Sequence, residues 1–248
     1  MRLISRIDIK NEFVIKGIHL EGLRKLGNPN DFAVNYFNSG IDEIIFHDMV
    51  ASLYERNNIF NIIEKACQEI FIPIIVSGGI RSLDDIEKAL KSGADKVAIN
   101  TQAVKTPDFI TKASRTFGSQ CIVGSIDCKK NKNNWEVLTE GGREYTGLDA
   151  HKWALKLEDL GIGELLLTSV DMEGTKKGFD IEIIDKISKD LKVPVIASGG
   201  CGDLNHLSGV ALNTEITGIA IASMLHYNII DIDKMKKHLL DNQIDIRI

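Results

Sequence analysis

Four short motifs recur in the second half of this chain at nearly the same distance from their first appearance. Ile7-Asp8-Ile9-Lys10 returns as Ile126-Asp127-Cys128-Lys129, 119 residues on. Glu43 with Ile44-Ile45-Phe46 returns as Glu164 with Leu165-Leu166-Leu167, and Val76-Ser77-Gly78-Gly79 returns as Ala197-Ser198-Gly199-Gly200, both 121 residues on. Ala98-Ile99-Asn100-Thr101 returns as Ala220-Ile221-Ala222-Ser223, displaced by 122. In a chain of 248 residues that offset is close to half the length, far too long for one unit of a solenoid. Half a domain is present twice, with halves of about 1–120 and 121–248.

Between these motifs, short apolar runs alternate with amphipathic stretches. Candidate strands are residues 3–8, 43–48, 72–76, 96–100, 121–127, 164–168, 194–197 and 217–222, rich in Ile, Val or Leu and bounded by Gly, Asp or Ser. Helical signals follow them. Ser82 precedes two acids, Asp84 and Asp85, and Thr106-Pro107 reads as an N-cap with proline at the first helical position. Residues 149–160 carry Ala150, Trp153, Ala154, Leu157 and Leu160 on one face, and 180–191 and 231–240 read the same way. Eight strands, each followed by a helix, predict a single (β/α)8 TIM barrel over 1–248, built from two duplicated half-barrels. A doubly wound open sheet would leave the repeat unexplained. Two connections are long: residues 17–28 and residues 129–147, the second holding a small hairpin around Trp135-Glu136-Val137-Leu138. Connections of such length in a compact domain are usually functional or disordered.

Composition excludes several functions. A net charge of −5, with acids interspersed among the lysines, argues against nucleic acid as a partner. No apolar stretch approaches the roughly 20 residues of a membrane span. The four cysteines lack C-x-x-C spacing, which fits reduced thiols in a cytoplasm. The six histidines form no pair on one helix face, so no metal or other cofactor is expected.

In a closed barrel, strands 1 and 5 lie opposite one another, so Asp8 and Asp127 are expected across the C-terminal mouth, where active sites of this fold lie. Two carboxylates so placed suit general acid/base work. An aspartate at a strand end can also cap its loop or hold a lysine such as Lys10 or Lys129; that it occurs twice favours chemistry. After strands 3 and 7, Gly78-Gly79 and Gly199-Gly200 let backbone N–H groups approach an oxyanion. Asn100-Thr101 and Ala222-Ser223 end strands 4 and 8 beside them, and Gly174 follows strand 6. A lone Gly-Gly is more often a tight turn. Two matched ones predict a phosphate cup on each side of the mouth. At the other strand ends, Arg2, Glu43, Lys96 and Glu164 begin inner strands with charges that must neutralise one another. They form either a structural floor or a gated opening.

These residues resemble the cyclase-subunit family of imidazole glycerol phosphate synthase essentially end to end. The likeness is carried by Ile7-Asp8-Ile9-Lys10, Val14-Ile15-Lys16-Gly17, Gly40-Ile41-Asp42-Glu43, Gly93-Ala94-Asp95-Lys96, Phe117-Gly118-Ser119-Gln120 and Ile196-Ala197-Ser198-Gly199-Gly200. The resemblance implies a lyase/cyclase using ammonia from a glutaminase docked at the N-terminal face. Its substrate would be a bis-phosphorylated ribulosyl-formimino aminoimidazole carboxamide ribotide, in histidine biosynthesis. It puts acid/base roles on Asp8 and Asp127 and a loop-ordering substrate contact on Lys16. It puts phosphate binding on Gly79, Thr101, Gly200 and Ser223, the ammonia gate on Arg2, Glu43, Lys96 and Glu164, and the partner interface on Asp95. The departures are Arg6, turned inward where the family has a small residue; His47, also inward, which reads more simply as a satisfied core histidine; Glu173 in place of aspartate; and Met49-Val50-Ala51-Ser52. Two further readings follow from them: an ammonia-dependent subunit for an amino- or amidino-sugar of a surface polysaccharide, and a non-catalytic activator of a glutaminase.

Overall fold

A computed structural model describes residues 1–51 and 59–247; Ser52, one of the departures, lies outside them. In chain order the strands are β1 (Arg2–Lys10), β2 (Phe13–Ile18), β3 (Glu21–Gly27), β4 (Glu43–Asp48), β5 (Ile74–Ser77), β6 (Lys96–Ile99), β7 (Ile122–Asn131), β8 (Asn134–Thr139), β9 (Glu144–Asp149), β10 (Glu164–Ser169), β11 (Val195–Ser198) and β12 (Gly218–Ile221). The helices are α1 (Pro29–Asn38), α2 (Ile59–Ala66), α3 (Leu83–Lys91), α4 (Thr101–Lys105), α5 (Asp108–Phe117), α6 (Ala150–Leu160), α7 (Ile181–Asp190), α8 (Leu204–Asn213), α9 (Ser223–His226) and α10 (Ile232–Asp241). Parallel pairing runs β1-β4-β5-β6-β7-β10-β11-β12 and returns from β12 to β1, so the sheet has closed into a (β/α)8 barrel.

Strand alternation sorts the side chains into two cores. On β1, Leu3, Ile7 and Ile9 face outward and join the large apolar cluster beneath the helices. Arg2, Ile4, Arg6 and Asp8 take the other parity and face the lumen. One layer in from the floor, each barrel strand supplies one apolar residue: Ile4, Ile45, Ile75, Ala98, Val123, Leu166, Ile196 and Ala220. This ring packs the lumen as such barrels require. Helix starts are set locally. Ser82 and Asp85 form a capping box on α3, and Asp149 caps α6 by accepting from Lys152 N at 3.0 Å. Thr106-Pro107 departs from expectation: α5 starts at Asp108 with Pro107 at the cap position and no side-chain cap.

The expected strand ends at Asp8 and Asp127 are also corrected. β1 continues to Lys10 and β7 to Asn131, because each is drawn out by an antiparallel neighbour. The long connection after strand 1 is thus the β2–β3 hairpin, and the one after strand 5 is the β8–β9 hairpin. Among the described residues no helix is long and apolar enough to cross a membrane.

Leu166 is 1% exposed within the eight-residue ring. Leu166→Ala should destabilise the protein by about 2–5 kcal/mol, because a closed ring collapses poorly around a lost side chain. Urea denaturation should show the midpoint fall with an unchanged slope.

Candidate active site

Asp8 sits between two cations inside the barrel mouth. Arg6 Nε donates to its Oδ1 at 2.8 Å and Lys16 Nζ to its Oδ2 at 3.3 Å. Lys16, on β2, also pairs with Glu173 beyond β10. Burial by itself would raise the Asp8 pKa, but Arg6 and Lys16 outweigh it and hold the carboxylate well below its usual range. Burial likewise disfavours the Lys16 ammonium, yet Glu173 and Asp8 overcome that and raise its pKa.

Asp127 carries the same motif in a different setting. Its Oδ2 accepts from Asn100 Nδ2 at 3.0 Å, and no lysine or arginine pairs with it among the described residues. Burial therefore prevails and its pKa is raised, with Arg6 and the Asn100 hydrogen bond countering only in part. Asn100 Nδ2 also donates to Leu138 O at 3.0 Å. The amide expected at a phosphate thus holds the carboxyl group in place and ties it to β8.

The β2–β3 hairpin covers Asp8. Its Ile15 and Leu20 pack with Met49, Val50, Leu138 and Val170 above the mouth. His19 N donates to Glu173 O at 2.8 Å, and His19 Nδ1 to Val170 O at 2.9 Å. Gly174 lets the hairpin settle: a Cβ there would stand 2.3 Å from Gly17 O. Asp8 is left 3% exposed beneath this cover, and Asp127, which lines a cleft, is 4% exposed.

That cleft contains the first expected cup. Gly78, Gly79, Asn100 and Thr101 line it, with His47, Arg81 and Lys105. Gly78 has φ +92°, and a Cβ would stand 2.2 Å from Asp48 O, so the turn requires glycine. Thr101 Oγ1 accepts from Glu140 N at 3.0 Å and keeps its own proton to donate. The second cup lies in a separate cleft lined by Glu173, Gly174, Gly199, Gly200, Ala222 and Ser223. Next to it, Arg24 and Lys176 share a cleft with Lys16, Gly174 and Ser223. Each cup thus has nearby cations that the repeat alone did not single out.

Arg6 and His47 both face the lumen. Arg6 Nη1 donates to Thr168 Oγ1 at 2.9 Å and to Ser198 Oγ at 3.3 Å. Alternation from Glu164 turns Thr168 inward, but nothing in the linear sequence pairs Thr168 or Ser198 with Arg6. His47 Nδ1 shares a 2.8 Å hydrogen bond with Ser77 Oγ. Burial and the adjacent Arg6 charge push its pKa down to about 3.

At the floor, four ion pairs close a ring. Glu43 accepts from Arg2 Nη1 at 2.6 Å and from Lys96 Nζ at 2.9 Å. Glu164 accepts from Lys96 Nζ at 2.8 Å and pairs with Arg2. The acids are buried, while the Arg2 and Lys96 side chains are 24% and 20% exposed. Asp95, exposed beside this ring, accepts from Ile74 N at 2.8 Å, so one of its oxygens serves the fold. Among the described residues no cluster of His, Cys, Asp and Glu is arranged to hold a metal ion, and Cys67, Cys121, Cys128 and Cys201 are free thiols.

The His47 environment has a pH consequence. In the fold the ring stays neutral down to about pH 3, whereas in the unfolded chain it protonates near 6.5. Between those values the unfolded chain binds the extra proton. Stability from the neutral ring is therefore full above pH 6.5 and lost as pH falls toward about 3. His47→Asn should flatten the unfolding free energy between pH 6 and 4 by up to about 1.4 kcal/mol per pH unit, read by denaturant titration at each pH.

Residues 2–231 match the family model described as "Histidine biosynthesis protein". The chain is 54% identical over 209 residues to "Imidazole glycerol phosphate synthase subunit HisF" of Legionella pneumophila, covering 84% of this chain and 99% of that one. It is 43% identical over 249 aligned residues to the protein of the same name from Lactococcus lactis subsp. cremoris (strain MG1363), covering 100% of this chain and 96% of the other. With a family model spanning nearly its full length and relatives at this identity, the chain belongs to the histidine biosynthesis protein family.

Proposed function

We propose that this barrel is the cyclase subunit of imidazole glycerol phosphate synthase, working with a glutaminase subunit docked at its N-terminal face. The observation that carries the reading is the pair of glycine-lined cups on either side of a mouth that holds Asp8 and Asp127. A substrate with a phosphate at each end suits two such cups: one phosphate at Gly78, Gly79 and Thr101, the other at Gly199, Gly200, Ala222 and Ser223, with Gly174 alongside. The duplication of a half-barrel, about 1–120 and 121–248, belongs to the same reading, since it accounts for one acid and one cup in each half.

Ammonia reaches the mouth from the floor, where Arg2, Glu43, Lys96 and Glu164 act as the gate and Asp95 faces the partner. It attacks the ribulosyl carbonyl of the bis-phosphate and water leaves as the imine forms. Cleavage then releases aminoimidazole carboxamide ribotide, and the remaining fragment closes to imidazole glycerol phosphate. Asp127, whose proton affinity burial raises, is the group that supplies a proton to the departing oxygen. Asp8, ionised between Arg6 and Lys16, is the base. Lys16 closes the β2–β3 hairpin over the substrate by pairing with Glu173. Arg6 in the lumen is the one observation favouring the second reading, an ammonia-dependent subunit of an amino- or amidino-sugar pathway, because it alters the surface a substrate meets.

Turnover of the bis-phosphate with ammonium salt alone tests the proposal directly. Asp127→Asn should cut kcat by about 10²–10⁴ with the fold intact by circular dichroism. Crystals grown in phosphate should show an anion in each cup. Unimpaired turnover by the variant, or empty cups, would remove the basis for the reading.

A further inference from the structure

Arg6 does more than pair with Asp8, and it departs from the apolar packing expected in the lumen of such a barrel. On β1 it lies one inward position above Ile4 and one below Asp8. Its side chain crosses the lumen as a chord, reaching Thr168 on β10 and Ser198 on β11, while Nε holds Asp8 on its own strand. It is 2% exposed, and its Nη2 has no hydrogen-bond partner among the described residues. Anything moving up the axis from the floor must cross the charged ring, then the apolar ring, then this guanidinium.

The three layers differ in how they can open. Arg2 and Lys96 are partly exposed, so the charged ring can swing its cations outward into water. The apolar ring includes Ala98 and Ala220, its two shortest side chains, which a small neutral molecule would pass most readily. Arg6 is pinned by three side chains and has no solvent to move into. Its rearrangements are confined to the lumen, where Asp127 is a nearby carboxyl group that no lysine or arginine pairs among the described residues.

We propose that Arg6 is an inner gate on the axial path of ammonia, set in series with the floor ring and passed only when its guanidinium leaves Thr168 and Ser198. The inference rests on reading this chain as an ammonia-using synthase subunit. Under it, nitrogen delivered from glutamine crosses Arg6, whereas ammonium salt added to solution reaches the mouth without doing so. The ratio of the two turnover rates reports the gate and is insensitive to a change that slows the shared chemistry equally.

The test uses the complex of the full chain with its glutaminase subunit. Arg6→Ser should raise the ratio of glutamine-driven to ammonium-driven turnover by at least about threefold, and Arg6→Lys should leave it within about twofold. A ratio unchanged in Arg6→Ser, with both rates falling together, would assign Arg6 to holding Asp8 alone and overturn the gate. A higher KM for the bis-phosphate at an unchanged ratio would make Arg6 a substrate ligand and overturn it equally. If Arg6→Ser does not fold, Arg6→Gln carries the same comparison. Xenon-pressurised crystals give a readout that needs no turnover. Xenon should stop below Arg6 in the wild type and extend to the mouth in Arg6→Ser; continuous xenon sites in the wild type would refute the gate. Should the wild type convert the bis-phosphate with neither nitrogen source, the functional reading falls while the xenon result still decides the gate.

Discussion

Inside a closed eight-stranded barrel, an ionised side chain must find its counter-charge within the lumen, because water is excluded and an unpaired buried charge costs several kcal/mol. Two layers of this barrel meet that constraint. At the floor, two cations and two carboxylates alternate around a ring in which each acid serves both bases. At the mouth, Arg6 and Lys16 are matched by Asp8 and Glu173. Between the layers lies a ring of eight apolar residues that keeps the two sets of charges apart.

The neutrality of the mouth cluster leaves Asp127 with no cation of its own among the described residues. That difference separates two aspartates with nearly identical local sequence. One is ionised because both its oxygens are occupied by cationic donors. The other holds its proton more tightly because burial is only partly countered by Asn100 and the more distant Arg6. The asymmetry is electrostatic and does not extend to exposure, since the two carboxyl groups are 3% and 4% exposed. A duplicated motif has thus been placed in two electrostatic environments, an arrangement that lets one group give a proton while the other accepts one.

Much of the fold is legible in the amino-acid sequence. The alternation of apolar strands and amphipathic helices was sufficient for eight βα units, and the half-length repeat argued that they close into one barrel. The same period of two turned Arg6 and His47 inward. What misled was the end of each aspartate-bearing strand: Lys10 and the residues beyond Cys128 are polar and read as loop, yet antiparallel partners carry β1 and β7 further. A polar residue can belong to a strand when a hairpin satisfies its backbone, and hairpin pairing leaves little hydrophobic signal.

The sequence by itself determined the repeat, the fold class and which side chains point into the lumen, because strand parity and glycine placement are local properties of the chain. Only the tertiary structure decided which inward groups pair: Arg6 with Thr168 and Ser198, Lys16 with Glu173, Asn100 with Asp127. The residues of these pairs are separated by 162, 192, 157 and 27 positions along the chain. Coulomb attraction and hydrogen bonding depend on distance through space, which barrel closure sets and linear order does not.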